Sequence, residues 1–184
     1  FRNDISDVFQ ACYFTNTNGN SLSQGMFYQF YNALYRTNSI MQKLEEKQGE
    51  FGEDFVNKVK AECLFIRGFY LFQLGKEFKN APLRLTEIWS QAEQDLLTAA
   101  SLLPVKNDVI GKPTKGAAYA VLGKIYVYEE DFDKAIEILE PLTKSPYTYR
   151  LVEDFAWNFD DVHENNEESI FELLMEPVGG TDIW

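Results

Sequence analysis

The segment from Gly111 to Tyr147, GKPTKGAAYAVLGKIYVYEEDFDKAIEILEPLTKSPY, constrains the fold most, because it encodes two amphipathic helices with the signals that start, separate and stop them. Tyr119, Leu122, Ile125 and Tyr126 recur at three- and four-residue spacing, which places them on one face of a helix expected from about Lys115 to Glu129. Thr114 is its expected N-cap, since a hydroxyl there can accept from an unpaired first-turn amide. Glu129, Glu130 and Asp131 interrupt the pattern, and a second stripe of Ala135, Ile138, Leu139 and Leu142 follows until Pro146. Leu122, Gly123 and Tyr126, with Ala135 twelve residues after the glycine, match the tetratricopeptide pattern. The physical content of that pattern is close packing: Gly123 and Ala135 are small where two helices approach, and Tyr126 and Leu139 fill the space beside them.

A partial copy lies 48 residues upstream, where LGKEF at Leu74 to Phe78 repeats LGKIY at Leu122 to Tyr126. Its helix is expected to follow the break at Gly49 to Gly52 and run to about Phe78, with Phe55, Val59, Cys63, Ile66, Tyr70 and Leu74 as the inward stripe. The partner should run from Ile88 to Leu103 and stop at Pro104, with Ala92, Leu96 and Ala99 at the offsets of the second repeat helix. The gap from Gly75 to Ala92 is 17 residues against 12 in the other copy, an insertion of five that contains the turn Asn80-Ala81-Pro82. Repeat-like pairs therefore cover about 53–104 and 114–146. An earlier helix is expected over Met26 to Lys47, with Phe27, Phe30, Tyr31, Leu34, Met41 and Leu44 on one side. Asn38 falls within this stripe and reads as a hydrogen-bonded core or interface amide.

Outside the repeats the signals weaken. Phe1 to Phe14 suggests a short helix, and Thr15 to Gly25 reads as loop because Asn and Gly tolerate positive φ. Tyr147 to Asp161 is aromatic and acidic without a period, and Ser169 to Met175 is either a short strand or a buried extended segment ended by Pro177. The expectation is an all-α chain, an αα superhelix of tetratricopeptide-like hairpins with irregular loops and at most one short strand.

Charge and composition remove whole function classes. The formal charge of −12 includes no basic stripe that could release counterions from nucleic acid, which excludes that partner. No run approaches the length of a membrane-spanning helix, and FRNDISDVFQ is not a signal peptide. A chain that starts at Phe1 without an initiator Met reads as a processed or trimmed product that has lost targeting information. Cys12 and Cys63 lack CxxC spacing, so metal and redox chemistry have little support. Cys63 reads as a small buried side chain, and pairing with Cys12 stays open.

Catalytic constellations are also scarce. Hydrolysis would need paired carboxylates at a defined separation, and Asp160, Asp161, Glu167 and Glu168 sit in turn-like sequence where solvated charge is the usual explanation. His163 is the one histidine, expected on an exposed loop, and no GxSxG elbow accompanies it. Glu129, Glu130, Asp131 and Asp133 lack the EF-hand glycine and terminal glutamate, and read as an interhelix turn. No cofactor motif is present, and no catalytic or metal-ligating residue is assigned.

Several blocks in order carry a family resemblance. AECLFIRGFYLFQLGKEFKNAPL, Ala61 to Leu83, resembles the signature of the SusD/RagB family of outer-membrane nutrient-binding lipoproteins. Tyr31 to Glu46, Trp89 to Pro104, Gly111 to Tyr128 and Glu168 to Glu172 are similar to further blocks of that family, so the resemblance covers roughly Met26 to Met175. It implies one helical-repeat domain over 1–184 that is incomplete at both ends, carried on the surface of a Gram-negative cell by an N-terminal lipid that this chain lacks. It further implies capture of a glycan or other nutrient, partnership with a TonB-dependent, SusC-like transporter, and no bond-breaking. Neither Cys12 nor Cys63 sits in a lipobox-like context, and the stretch from Leu85 to Glu87 is shorter than the family's usual loop.

A pyranose offers apolar C–H faces and a ring of hydroxyls, so its site needs exposed aromatic faces beside amides or carboxylates. Two clusters supply that mix. One is Tyr13, Phe14, Asn16, Asn18 and Asn20; the other is Trp157, Asn158 and Trp184. The competing function from a different class is a helical-repeat adaptor that binds protein segments in its groove.

Overall fold

The computed structural model describes residues 4–13, 15, 17, 19–79 and 85–173. Its six α-helices are α1 (Asp4–Cys12), α2 (Ser21–Glu46), α3 (Glu53–Glu77), α4 (Leu85–Leu102), α5 (Lys115–Tyr128) and α6 (Phe132–Leu139), with 3₁₀ turns at Glu140–Thr143 and Phe155–Phe159. Each helix packs on the next in order and α3 also touches α5, the stacking expected of successive hairpins. No strand occurs among the described residues.

The α5–α6 hairpin forms as its sequence demands. Thr114 caps α5 by accepting from the Ala117 amide at 3.2 Å. At the other end Glu130 adopts a left-handed φ of 62°. The Asp131 amide donates to the Tyr126 carbonyl and the Glu130 amide to that of Val127, which satisfies two orphan carbonyls in one turn. Asp131 then caps α6 through the Lys134 amide, so a single short turn ends one helix and starts the next. Pro146 is not where α6 stops. The α-helix ends at Leu139 and continues as a 3₁₀ turn, because Pro141 has no amide to donate and its ring crowds the preceding turn.

Gly123 is the closest approach in this hairpin, since a Cβ there would lie 2.4 Å from a Leu139 methyl and 2.5 Å from its Cγ. Gly123→Ala must therefore displace Leu139 from the α5–α6 seam. The expected loss is about 2 kcal/mol, read from the urea midpoint at unchanged m-value. Gly75, its counterpart, faces the Trp89 indole, and Gly68 and Gly116 form a second pair at the same offset.

The core lies where α3, α4 and α5 meet, around Phe65, Ile88, Leu96, Leu122 and Ile125, each at most 1% exposed. α3 departs from the single stripe its spacing suggests. Phe55 and Ile66 are exposed, whereas Leu64, Phe65, Leu71 and Phe72 are buried. The helix is flanked by α2 and α4 and touches α5, so burial spreads around its circumference and one-sided periodicity disappears. Cys63 is buried as expected; Cys12 is exposed, and both are free thiols.

α2 begins at Ser21, five residues earlier than the apolar pattern suggests, because Asn20 caps it by accepting from the Leu22 and Ser23 amides. Asp7 of α1 accepts from the Ser21 amide at 2.9 Å, which extends the cap with a charge at the positive end of the helix. Those same bonds hold the Asp7 carboxyl below its ordinary value, the Ser21 hydroxyl contributing most. Farther along, α2, α3 and α4 are joined by one polar network. Arg67 donates from Nε and Nη2 to the two Asp95 carboxylate oxygens at 2.6 and 2.7 Å, and from Nη1 to Asn38 at 2.8 Å. Gln91 completes the shell on Asp95, so Asn38 is the interface amide expected of it. Leu85 to Glu87, read as a short loop, is the first turn of α4, and Asn80-Ala81-Pro82 lies outside the described residues.

Candidate functional site

The irregular segment after α6 is held by its own side chains. Asp154 caps the 3₁₀ turn Phe155–Phe159 through the Ala156 amide. Asp160 accepts from the Val162 and His163 amides and holds the His163 ring, both carboxylate oxygens lying 2.8 Å from Nδ1. The His163 ring bond is the main reason the Asp160 carboxyl sits below its usual value. Glu168 accepts from the Val152 amide, Glu167 pairs with Arg150 at 2.7 Å, and Glu172 takes the Asn165 amide. Of the four carboxylates weighed for hydrolysis, Asp160, Glu167 and Glu168 thus make backbone, imidazole and ion-pair contacts that shape the loop. No group of three or more potential metal ligands occurs among the described residues.

This framework presents an aromatic plate. His163 is half-buried rather than exposed, because its ring stacks on Trp157 with centroids 4.6 Å apart and planes 9° from parallel. Beside the plate Asn166 donates to the Asn158 side-chain carbonyl at 3.1 Å. Trp157, Asn158, Asp160, His163 and Asn166 line one cleft of about 440 Å³. The arrangement combines an aromatic edge with amides and carboxylates, the mix a sugar ring requires.

The structure divides the sequence candidates. Trp157 and Asn158 share this cleft. Tyr13 is exposed at the end of α1 and stacks on Phe9, with centroids 6.2 Å apart. Asn20 is 1% exposed, and its amide is committed to capping α2 and to the Asp7 carbonyl, which leaves no surface for a ligand. Phe14, Asn16, Asn18 and Trp184 lie outside the described residues. The clefts that contain Trp157 include none of the described residues of the 13–20 segment.

Ser169 to Leu173 is irregular, not a strand: Phe171 turns inward and meets Phe65 edge-on at 5.0 Å and Phe69 at 6.4 Å. Phe171 thereby pins the cleft wall to α3, whereas Leu173 is 62% exposed and residues 174–175 of the expected segment lie outside the described residues. Sequence reasoning missed the adjoining pair Tyr147 and Tyr149, stacked at 5.9 Å, with the Tyr149 phenol over Gly116. The available signal was Gly116 itself, which stands at the repeat offset from Gly68.

A family of proteins described as starch-binding and associating with the outer membrane matches residues 6–127. The chain belongs to the SusD-like family. A SusD superfamily protein of Bacteroides vulgatus is 68% identical, with a TM-score of 0.91 over 97% of this chain and 42% of that one. The chain therefore spans less than half the length of this relative. Surface glycan-binding protein A of Bacteroides uniformis shares the fold at a TM-score of 0.81 and 20% identity, over 93% of this chain and 42% of its own. Its namesake from Bacteroides thetaiotaomicron, in complex with laminarihexaose, gives 0.73 at 22% identity over 79% and 34% of the two chains. No curated protein matches the chain.

Proposed function

We propose that this SusD-like chain is the helical-repeat part of a cell-surface protein that binds oligosaccharide without cleaving it and delivers it to a TonB-dependent, SusC-like outer-membrane transporter. An N-terminal lipid on the full polypeptide would hold it at the surface of a Gram-negative cell. The observation that carries the reading is the Trp157–His163 stack beside Asn158 and Asn166, held rigid by the Asp160 cap. Membership of a family described as starch-binding supports it, as does the laminarihexaose complex of a protein with the same fold. Binding without cleavage is supported by the contacts of the loop carboxylates, since Glu168 and Glu172 accept from backbone amides and Glu167 pairs with Arg150.

The outer face of the α5–α6 hairpin suits the transporter. Phe132 and Ile136 are 58% and 60% exposed and sit one helical turn apart. Docking there would leave the loop cleft, whose lining runs from Trp157 to Glu172 and includes no α6 residue, accessible to ligand.

A calorimetric screen against laminarihexaose, maltohexaose and a xylogluco-oligosaccharide tests the reading. Saturable binding of at least one is expected, with no shortening of the bound chain on prolonged incubation. Release of shorter sugars would turn the protein into an enzyme, and a flat response to all three would remove the glycan reading.

A further inference from the structure

We infer that the glycan groove continues from Trp157 across Asn166 to a second aromatic platform, Tyr147 and Tyr149, so that the ligand is a chain of several sugar residues rather than one or two. The inference rests on the glycan-binding reading of the Trp157 cleft and extends it along the surface.

Three observations place the second platform. A cleft of about 340 Å³ lies next to the Trp157 cleft, and Asn166, Ser169 and Glu172 line both, so the two clefts adjoin across a shared wall. That wall is held from below by Phe171 against Phe65, which keeps its position relative to α3 fixed. The Tyr147 and Tyr149 rings are parallel within 15° at 5.9 Å and both line this second cleft. Tyr149 can seat there because residue 116 is glycine: a Cβ would stand 2.4 Å from the phenol oxygen. Tyr147 and Tyr149 are both half-buried and both line the cleft, so the pair presents its remaining surface to a ligand there.

The chemistry of the second cleft repeats that of the first. Ile110 and Ile170 in its lining offer apolar surface for C–H faces, and Asn107 and Asn165 supply amides for hydroxyls. Successive sugars along a chain present this same alternation of apolar face and hydroxyl rim, so two aromatic plates separated by an amide-bearing wall fit an oligosaccharide laid across them. A disaccharide would engage only one plate.

Calorimetry with laminarihexaose, maltohexaose and xylogluco-oligosaccharide, each compared with its constituent disaccharide, tests the extension on the native chain and on three variants. Tyr147→Ala, and Ile110→Glu at a position already 64% exposed, should each weaken a long ligand about tenfold and leave the disaccharide unchanged. Trp157→Ala should weaken both. Ile110→Glu guards against a folding artefact, since an exposed side chain contributes little to stability. If the long ligand binds Tyr147→Ala and Ile110→Glu as tightly as the native chain while Trp157→Ala weakens it, the extension is overturned and the Trp157 site stands. If no ligand of either length depends on Trp157, both fall.

Discussion

Asp95→Ala should lower the unfolding free energy by about 3 kcal/mol, the largest loss expected from any single polar substitution here. Asp95 is 3% exposed and accepts a two-pronged contact from Arg67 together with a bond from Gln91. Removing it strands a guanidinium that retains only Asn38 among these partners. The cost sits at the low end of the range for broken buried pairs because the Arg67 side chain is 23% exposed and can recruit water. For a chain of this size the thermal midpoint should drop by about 6 to 12 °C. Asp95→Asn keeps the shape and loses the charge, so it should recover part of the loss. A midpoint unchanged in both variants would show that the network adds no net stability. The bond to the Asp95 carboxylate is also the main reason the Arg67 guanidinium holds its proton more tightly than usual, so no pH dependence of this pair is expected on its arginine side.

Phe65→Ala should cost about 4 kcal/mol and, unlike Asp95→Ala, should also weaken glycan binding. Phe65 is 1% exposed in the α3 core, so its removal leaves a cavity that neighbouring helices fill only in part. Its second role is as the seat for Phe171, whose segment forms the wall between the two clefts. Phe171→Ala separates the two effects: it should cost less stability, because Phe171 is only partly buried, yet weaken the ligand at least as much. Equal affinity in native and Phe171→Ala protein would show that the wall holds its place without that anchor.

How much of this was readable in the chain differs from element to element. The α5–α6 hairpin was legible because its signals are local: Thr114, the acidic turn and the Gly123–Leu139 contact all lie within one stretch of sequence. Its end was misplaced because Pro141 outranks Pro146 once the helix has started. The start of α2 was hidden, since the cap by Asn20 is completed by Asp7, 13 residues earlier by the bond from the Asn20 amide. α3 misled in a different way, because a helix with neighbours on several sides has no single stripe to read. In the site, Trp157 and Asn158 were visible as residue types, but the His163 stack depends on a loop that closes only when Asp160 binds backbone. Tyr147 and Tyr149 were passed over because nothing in their own spacing marks them; the glycine that admits Tyr149 is on another element.

In the function proposed for this SusD-like chain, Trp157 is the surface on which the glycan is taken. The most direct measurement is a pair of calorimetric titrations, native chain against Trp157→Ala, with whichever oligosaccharide binds most tightly. The account predicts a loss of about tenfold or more in affinity, with the thermal midpoint of the variant close to native because the 3₁₀ turn that carries Trp157 lies outside the buried core. An affinity unchanged in a folded Trp157→Ala variant would contradict it.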